Sequence, residues 1–263
     1  MELLAYLITG AVAGLMAGLL GVGGGLVIVP ALALLFAGHV ADAQLMHAAV
    51  GTSLAAIVPT AIASLLAHHR RDSVVWTTVR ALVPGIVVGG LGGAWLARQV
   101  SSPGLALFFG VFEILVALQL WFGVKPAAHR GLPGAAGMTG AGTTIGAVSA
   151  LLGIGGGTLT TPFLLWNGVD IRRAVGTSAA CGLPIALAGA AGFAVGDLSI
   201  MVQRGWATGF IYWPAVAGIV LSSVPLAPLG ARLAHYLPRP VLQRLFSLFL
   251  LMVGLKMLLG SGL

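Results

Sequence analysis

Leu20-Gly21-Val22-Gly23-Gly24-Gly25, with Pro30 five residues on, interrupts an apolar stretch that runs from Leu3 to Gly38. As one α-helix rising about 1.5 Å per residue, that stretch would be roughly 54 Å long, well beyond a hydrocarbon core of about 30 Å. Adjacent glycines make poor helix interior. The run therefore predicts a break between two helical arms, Leu3 to Leu20 and Leu26 to Gly38, that enter and leave on one side of a membrane. The motif returns as Leu152-Gly153-Ile154-Gly155-Gly156-Gly157 with Pro162, an offset of 132, between arms Gly137 to Leu152 and Thr158 to Gly168.

Two further blocks repeat in the same order. Ala49-Val50-Gly51-Thr52-Ser53 recurs as Ala174-Val175-Gly176-Thr177-Ser178 at an offset of 125, which also aligns His47 with Arg172. Gly93-Ala94, Pro103, Leu105 and Phe109 recur as Gly230-Ala231, Pro240, Leu242 and Phe246 at an offset of 137. The chain thus divides into a first transmembrane repeat, 1–123, and a second, 137–263. Between them, 124–136 carries Lys125, Pro126, Arg130, Gly131, Pro133 and Gly134, and reads as a cytoplasmic linker.

Lipid is the solvent this composition requires. Of 263 residues 59% are hydrophobic and only 7% charged, with a mean hydropathy of +1.06, against roughly 25% charged in soluble domains. The apolar stretches lack the alternation of barrel strands, which leaves helices. Met1 to Leu20 opens on Glu2 rather than a basic start and is expected to stay in the fold instead of being cleaved as a signal peptide. Single crossings are expected at Leu45 to Ala67, Thr78 to Arg98, Pro103 to Gly123, Ala174 to Gly196, Ala207 to Ala231 and Pro240 to Leu259. The fold class is then an all-α polytopic membrane protein, each half a glycine-broken helical hairpin plus three transmembrane helices.

Charge decides how the halves relate, because Lys and Arg in short loops favour the cytoplasm. With hairpins, one side collects ten basic residues (Arg70, Arg71, Arg80, Lys125, Arg130, Arg172, Arg173, Arg232, Arg239, Arg244) and the other only Arg98 and Arg204. With each glycine-rich segment as one crossing, the same residues divide six against six. The hairpin arrangement makes the halves inverted repeats, as in many secondary transporters, and puts both termini outside. The formal charge of +7 is spread over loops rather than clustered with aromatics, so nucleic acid is not an expected partner. The single Cys181 excludes an intramolecular disulfide. No metalloprotease, nucleophile-elbow or P-loop motif is present, and the six His lack metal-ligand spacing, so an enzyme, a metal and a cofactor are not expected.

Breaks followed at once by helical arms expose unpaired N–H groups and a partial positive charge, which suits an anion in a low-dielectric site. The expected substrate-binding set is Gly23, Gly24, Gly25, Gly155, Gly156 and Gly157, with hydroxyls from Thr52, Ser53, Thr158, Thr177 and Ser178. Ser and Thr in membrane helices also bond back to their own carbonyls, and the glycines also serve close helix packing. His47, Arg172 and Arg173 are entrance candidates, with interfacial anchoring as the plainer role for the arginines. Glu113 lies within an apolar crossing and is the proton-coupling candidate. Gln119 and Lys256, at matching positions of the two halves, also lie within apolar crossings.

The blocks Leu20 to Pro30 and Arg173 to Ser178, with their repeats, resemble the sulfite exporter TauE/SafE family of membrane permeases over nearly the whole chain. The resemblance implies a multi-pass inner-membrane transporter of sulfur-containing anions such as sulfite, sulfoacetate or other organosulfonates. His47-Ala48 stands where the second half has Arg172-Arg173, a departure from two-fold symmetry. Expelling an anion down a potential that is negative inside gains about 2.3 kcal/mol per charge per 100 mV, so export is expected. Proton-coupled uptake is the alternative, and a channel or a membrane-bound binding protein follows. The expected partners are a small anion, the lipid bilayer and, left open, a second copy in a homodimer.

Overall fold

The computed structural model describes residues 2–20, 24–122, 131–195, 206–233 and 239–260. Among them ten α-helices follow in order: α1 (Glu2–Leu20), α2 (Gly25–Phe36), α3 (Leu45–His69), α4 (Trp76–Ala97), α5 (Ser102–Phe122), α6 (Ala135–Leu152), α7 (Gly157–Trp166), α8 (Ile171–Ala194), α9 (Trp213–Leu233) and α10 (Arg239–Gly260). Eight are long and apolar enough to cross a membrane, by length and composition; α2 and α7 are not. With 12 and 10 residues, those two reach about 18 and 15 Å, half of a hydrocarbon core. The protein is an all-α polytopic membrane protein, with helices broken where the glycine runs stand.

Two boundaries have a clear local reason. Gly153 closes α6 in the left-handed conformation, φ 67° and ψ 27°. The Ile154 amide donates to the Ser149 carbonyl at 3.0 Å and the Gly153 amide to Ala150 at 3.3 Å, a Schellman stop with Ile154 buried behind it. One expected crossing is corrected. Ala207 does not begin α9; Ala207–Thr208 (β1) and Ile211–Tyr212 (β2) form a small antiparallel hairpin, and the helix starts at Trp213. The reason is Gly209, whose φ of 56° turns the chain back before helix can start. Of the expected linker, 124–130 lies outside the described residues, as do Gly21 to Gly23, Gly196 and Arg204; Ala135 already belongs to α6.

Small residues bring helix backbones together, as expected without a hydrophobic drive between helices in lipid. Gly10 lies against Ile219 and Gly14 against Ser223, so α1 and α9 run parallel. Gly85, Gly89 and Gly93 lie against Thr139, Thr143 and Ala147, so α4 and α6 do likewise. Gly51 meets Phe193 while Gly189 meets Leu54, so α3 and α8 are antiparallel, and Gly110 with Leu258 and Gly254 with Ile114 set α5 against α10 in the same sense. The core lies around α2, α3 and α8, where Leu26, Leu32, Leu54, Ile185 and Phe193 are fully buried. Phe122, Leu221 and Met252 point outward, the apolar exterior that lipid contact requires.

Candidate functional site

The two glycine turns meet inside the protein. A methyl group at Gly25 would lie 2.5 Å from the Gly153 carbonyl oxygen and 2.6 Å from Ile154 Cα, so backbone rests on backbone. Gly24 and Gly156 are the N-caps of α2 and α7, and neither supplies a side-chain hydrogen bond to the first turn. The positive ends of two half-length helices therefore begin within the bundle. Gly155 and Gly156 are buried and Gly157 partly so; Gly23 is outside the described residues. Thr158 is buried at the start of α7. No Asp, Glu, Lys or Arg occurs in either run, so helix ends supply the field here.

The repeated hydroxyls are fully buried, and each has a bond within the protein. Ser53 donates to the Gly153 carbonyl at 2.8 Å, tying α3 to the second turn. Ser178 donates to Val175 at 2.9 Å and accepts from Thr161 at 2.8 Å. Thr52 accepts from the Tyr212 amide at 3.1 Å, and Thr177 from the Val75 amide at 3.0 Å. Those two bonds are equivalents, since 75 and 212 differ by the same 137 as the third repeated block. Ser73 lies on Gly176 as Phe210 lies on Gly51, and Asp72 (φ 51°) matches Gly209 (φ 56°). Each Gly-Thr pair thus clasps the loop that precedes a crossing helix, Gly admitting the carbonyl and Thr taking the amide. No side-chain pattern links Asp72-Ser73-Val74-Val75 with Gly209-Phe210-Ile211-Tyr212, so the clasp was not legible beforehand.

The remaining candidates separate. His47 is buried, its Nε2 3.1 Å from both the Ala97 and Val100 carbonyls at the end of α4, and its ring faces Phe210 at 5.3 Å. With Gln44, Arg98 and Gln99 it lines a cavity of about 410 Å³. Arg172 and Arg173 are exposed at the start of α8, where Asp170 accepts from the Arg172 amide at 2.9 Å. The Val75–Thr177 bond puts them at the same end of the molecule as Arg70 and Arg71. Glu113 is fully buried beside Gly254 of α10, and neither carboxyl oxygen has a hydrogen-bond partner among the described residues. Gln119 and Lys256 are exposed.

Half-helices that start inside a bundle of spanning helices, with polar backbone ends held where lipid cannot reach them, are a recurring feature of membrane transporters. The family model described as sulfite exporter TauE/SafE matches residues 6–257, and the chain belongs to that family. It is 38% identical to a probable membrane transporter protein of Haemophilus influenzae, over 98% of each chain. A probable membrane transporter protein of Xylella fastidiosa is 26% identical over 96% of this chain and 94% of its own. YunE of Bacillus subtilis, with the same description, is 28% identical over 63% of this chain and 68% of its own. No solved structure matches.

Proposed function

We propose that this protein exports small sulfur-containing anions, such as sulfite, sulfoacetate or other organosulfonates, across the cell inner membrane. The observation that carries the proposal is the contact of the two glycine turns inside the protein, Gly25 against Gly153 and Ile154, with the uncapped helices α2 and α7 starting from those turns. Backbone amides there supply donors and positive potential without a fixed charge that would hold the ion too tightly to release. Two inverted halves, 1–123 and 137–263, joined by a cytoplasmic linker at 124–136, would bring the turns together at mid-depth. The antiparallel approach of α3 to α8 and of α5 to α10 supports that arrangement. In the same scheme His47, Arg172 and Arg173 stand at the entrances.

Outward movement follows from the membrane potential, which by itself expels an anion. A second reading, proton-coupled uptake of the same anions, draws on Glu113, a buried carboxyl without a hydrogen-bond partner among the described residues. A panel of sulfite, sulfoacetate, taurine, thiosulfate, sulfate and carboxylates, each added to the purified protein during thermal unfolding, tests the substrate class. A true substrate at 100 times its dissociation constant adds about 2.7 kcal/mol of stability. A panel in which carboxylates stabilise and no sulfur anion does would overturn the proposal.

A further inference from the structure

Hydroxyls in the crossing helices of this protein ordinarily bond back to their own helix: Thr60 to Ile57, Thr139 to Ala135, Thr143 to Thr139 and Ser247 to Arg244. Three buried hydroxyls, those of Ser149, Thr160 and Ser223, have no partner among the described residues. Ser223 belongs to the crowded approach of α9 to α1, where its carbonyl lies against Gly14. The other two flank the second glycine turn and are tied to it through their backbones. The Ser149 carbonyl accepts from Ile154, and the Thr160 amide donates to the Gly156 carbonyl, each at 3.0 Å. Both residues are fully buried.

We propose that Ser149 and Thr160 donate their hydroxyl protons to the transported oxyanion, so that the second glycine turn and the start of α7 form the discriminating half of the site. This rests on the anion-transport reading above and adds the residues that select the ion. A buried hydroxyl with no acceptor is unfavourable and rare in a folded protein, and here two of them bracket one uncapped helix start. α7 has ten residues, enough for a helix end with a real field. The first turn has no counterpart: the matching positions, at the offset of 132, are Ala17 and Ile28. The anion is therefore held by two hydroxyls at the second turn that have no equivalents in the sequence around the first. Two rotatable donors suit an oxyanion, and they discriminate against a halide of similar charge, which lacks several acceptor oxygens.

Equilibrium binding of radiolabelled sulfite to the purified protein, with thermal unfolding of the ligand-free form, tests this on Ser149→Ala, Thr160→Val and Ser223→Ala. Ser149→Ala and Thr160→Val are each expected to weaken sulfite binding tenfold or more, because a hydrogen bond to a charged group is lost. The ligand-free melting temperature should hold or rise, since an unpaired polar group has been removed. Thr160→Ser keeps the hydroxyl and should retain affinity, and Ser223→Ala should bind as the parent does. Unchanged affinity in both Ser149→Ala and Thr160→Val overturns the proposal while leaving anion transport standing. A parent protein that binds neither sulfite nor sulfoacetate nor thiosulfate saturably overturns the anion reading, and this assignment with it.

Discussion

Thr52 and Thr177 illustrate how a hydroxyl that looks available in a sequence is already committed in a fold. Each accepts a backbone amide from the loop ahead of a crossing helix, Tyr212 and Val75 respectively. Replacing either by valine keeps the shape and strands a buried amide, at a cost of about 1–3 kcal/mol. Thermal unfolding of Thr52→Val and Thr177→Val in detergent should show losses of that size; stabilities equal to the parent would mean the clasps contribute nothing. Their identity as a repeated Gly-Thr-Ser block was legible from residue types. Their role was not, because the groups they hold are backbone and share no side-chain pattern. Glu113 is the opposite case, conspicuous in sequence and buried without a hydrogen-bond partner among the described residues. Glu113→Gln breaks no hydrogen bond to a described residue, so the variant should fold as stably as the parent and retain voltage-driven anion efflux. Lost efflux in a well-folded variant would shift the account toward proton coupling.

At the scale of elements, the glycine runs announced the breaks correctly, since arms expected at Leu3 to Leu20 and Gly137 to Leu152 became α1 and α6 within two residues at either end. The runs could not show that the two turns differ in their tolerance of a side chain. A methyl at Gly24 would meet the flexible end of Ile28, Cδ1, at 3.2 Å and the Ala13 methyl at 3.3 Å, so a shift of a few tenths of an ångström admits it. At Gly156 it would meet the Ser178 carbonyl at 2.7 Å and the Gly182 nitrogen at 2.8 Å, which cannot. Gly24→Ala should therefore fold, and Gly156→Ala should lose roughly 1–3 kcal/mol through overpacking. Gly92→Ala and Gly140→Ala, which face open space on helices, are neutral or stabilising controls. Gly89 and Gly192 are unsuitable controls, because any Cβ there would collide with Thr143 or Ala94. Equal stabilities for the Gly24 and Gly156 variants would contradict the packing described for the turns. The small hairpin before α9 was missed because Ala207 to Tyr212 is apolar enough to continue a helix, and only the φ of Gly209 stops it.

At the scale of the molecule, charge counting supplies the expected sidedness of the loops. It needs only which loops are basic, whereas the packing partners of helices depend on faces that all-round apolar sequences do not mark. Gly85, Gly89 and Gly93 show α4 resting on α6, a pairing that no spacing rule foretold. The topology predicts that a cysteine placed at Arg70 or Arg172, in a Cys181→Ala background, reacts with impermeant reagent from the cytoplasmic face. A cysteine at Arg98 should react from outside. Labelling of the Arg70 and Arg172 positions from opposite faces would contradict both the charge pattern and the Val75–Thr177 clasp.

The most direct test of the whole account is sulfite flux from proteoliposomes loaded with sulfite and clamped negative inside by a potassium diffusion potential. The account predicts saturable efflux that grows with the imposed voltage, as expected of an anion gaining about 2.3 kcal/mol per charge per 100 mV. Efflux no faster than from protein-free liposomes, at every voltage and sulfite concentration, would contradict it.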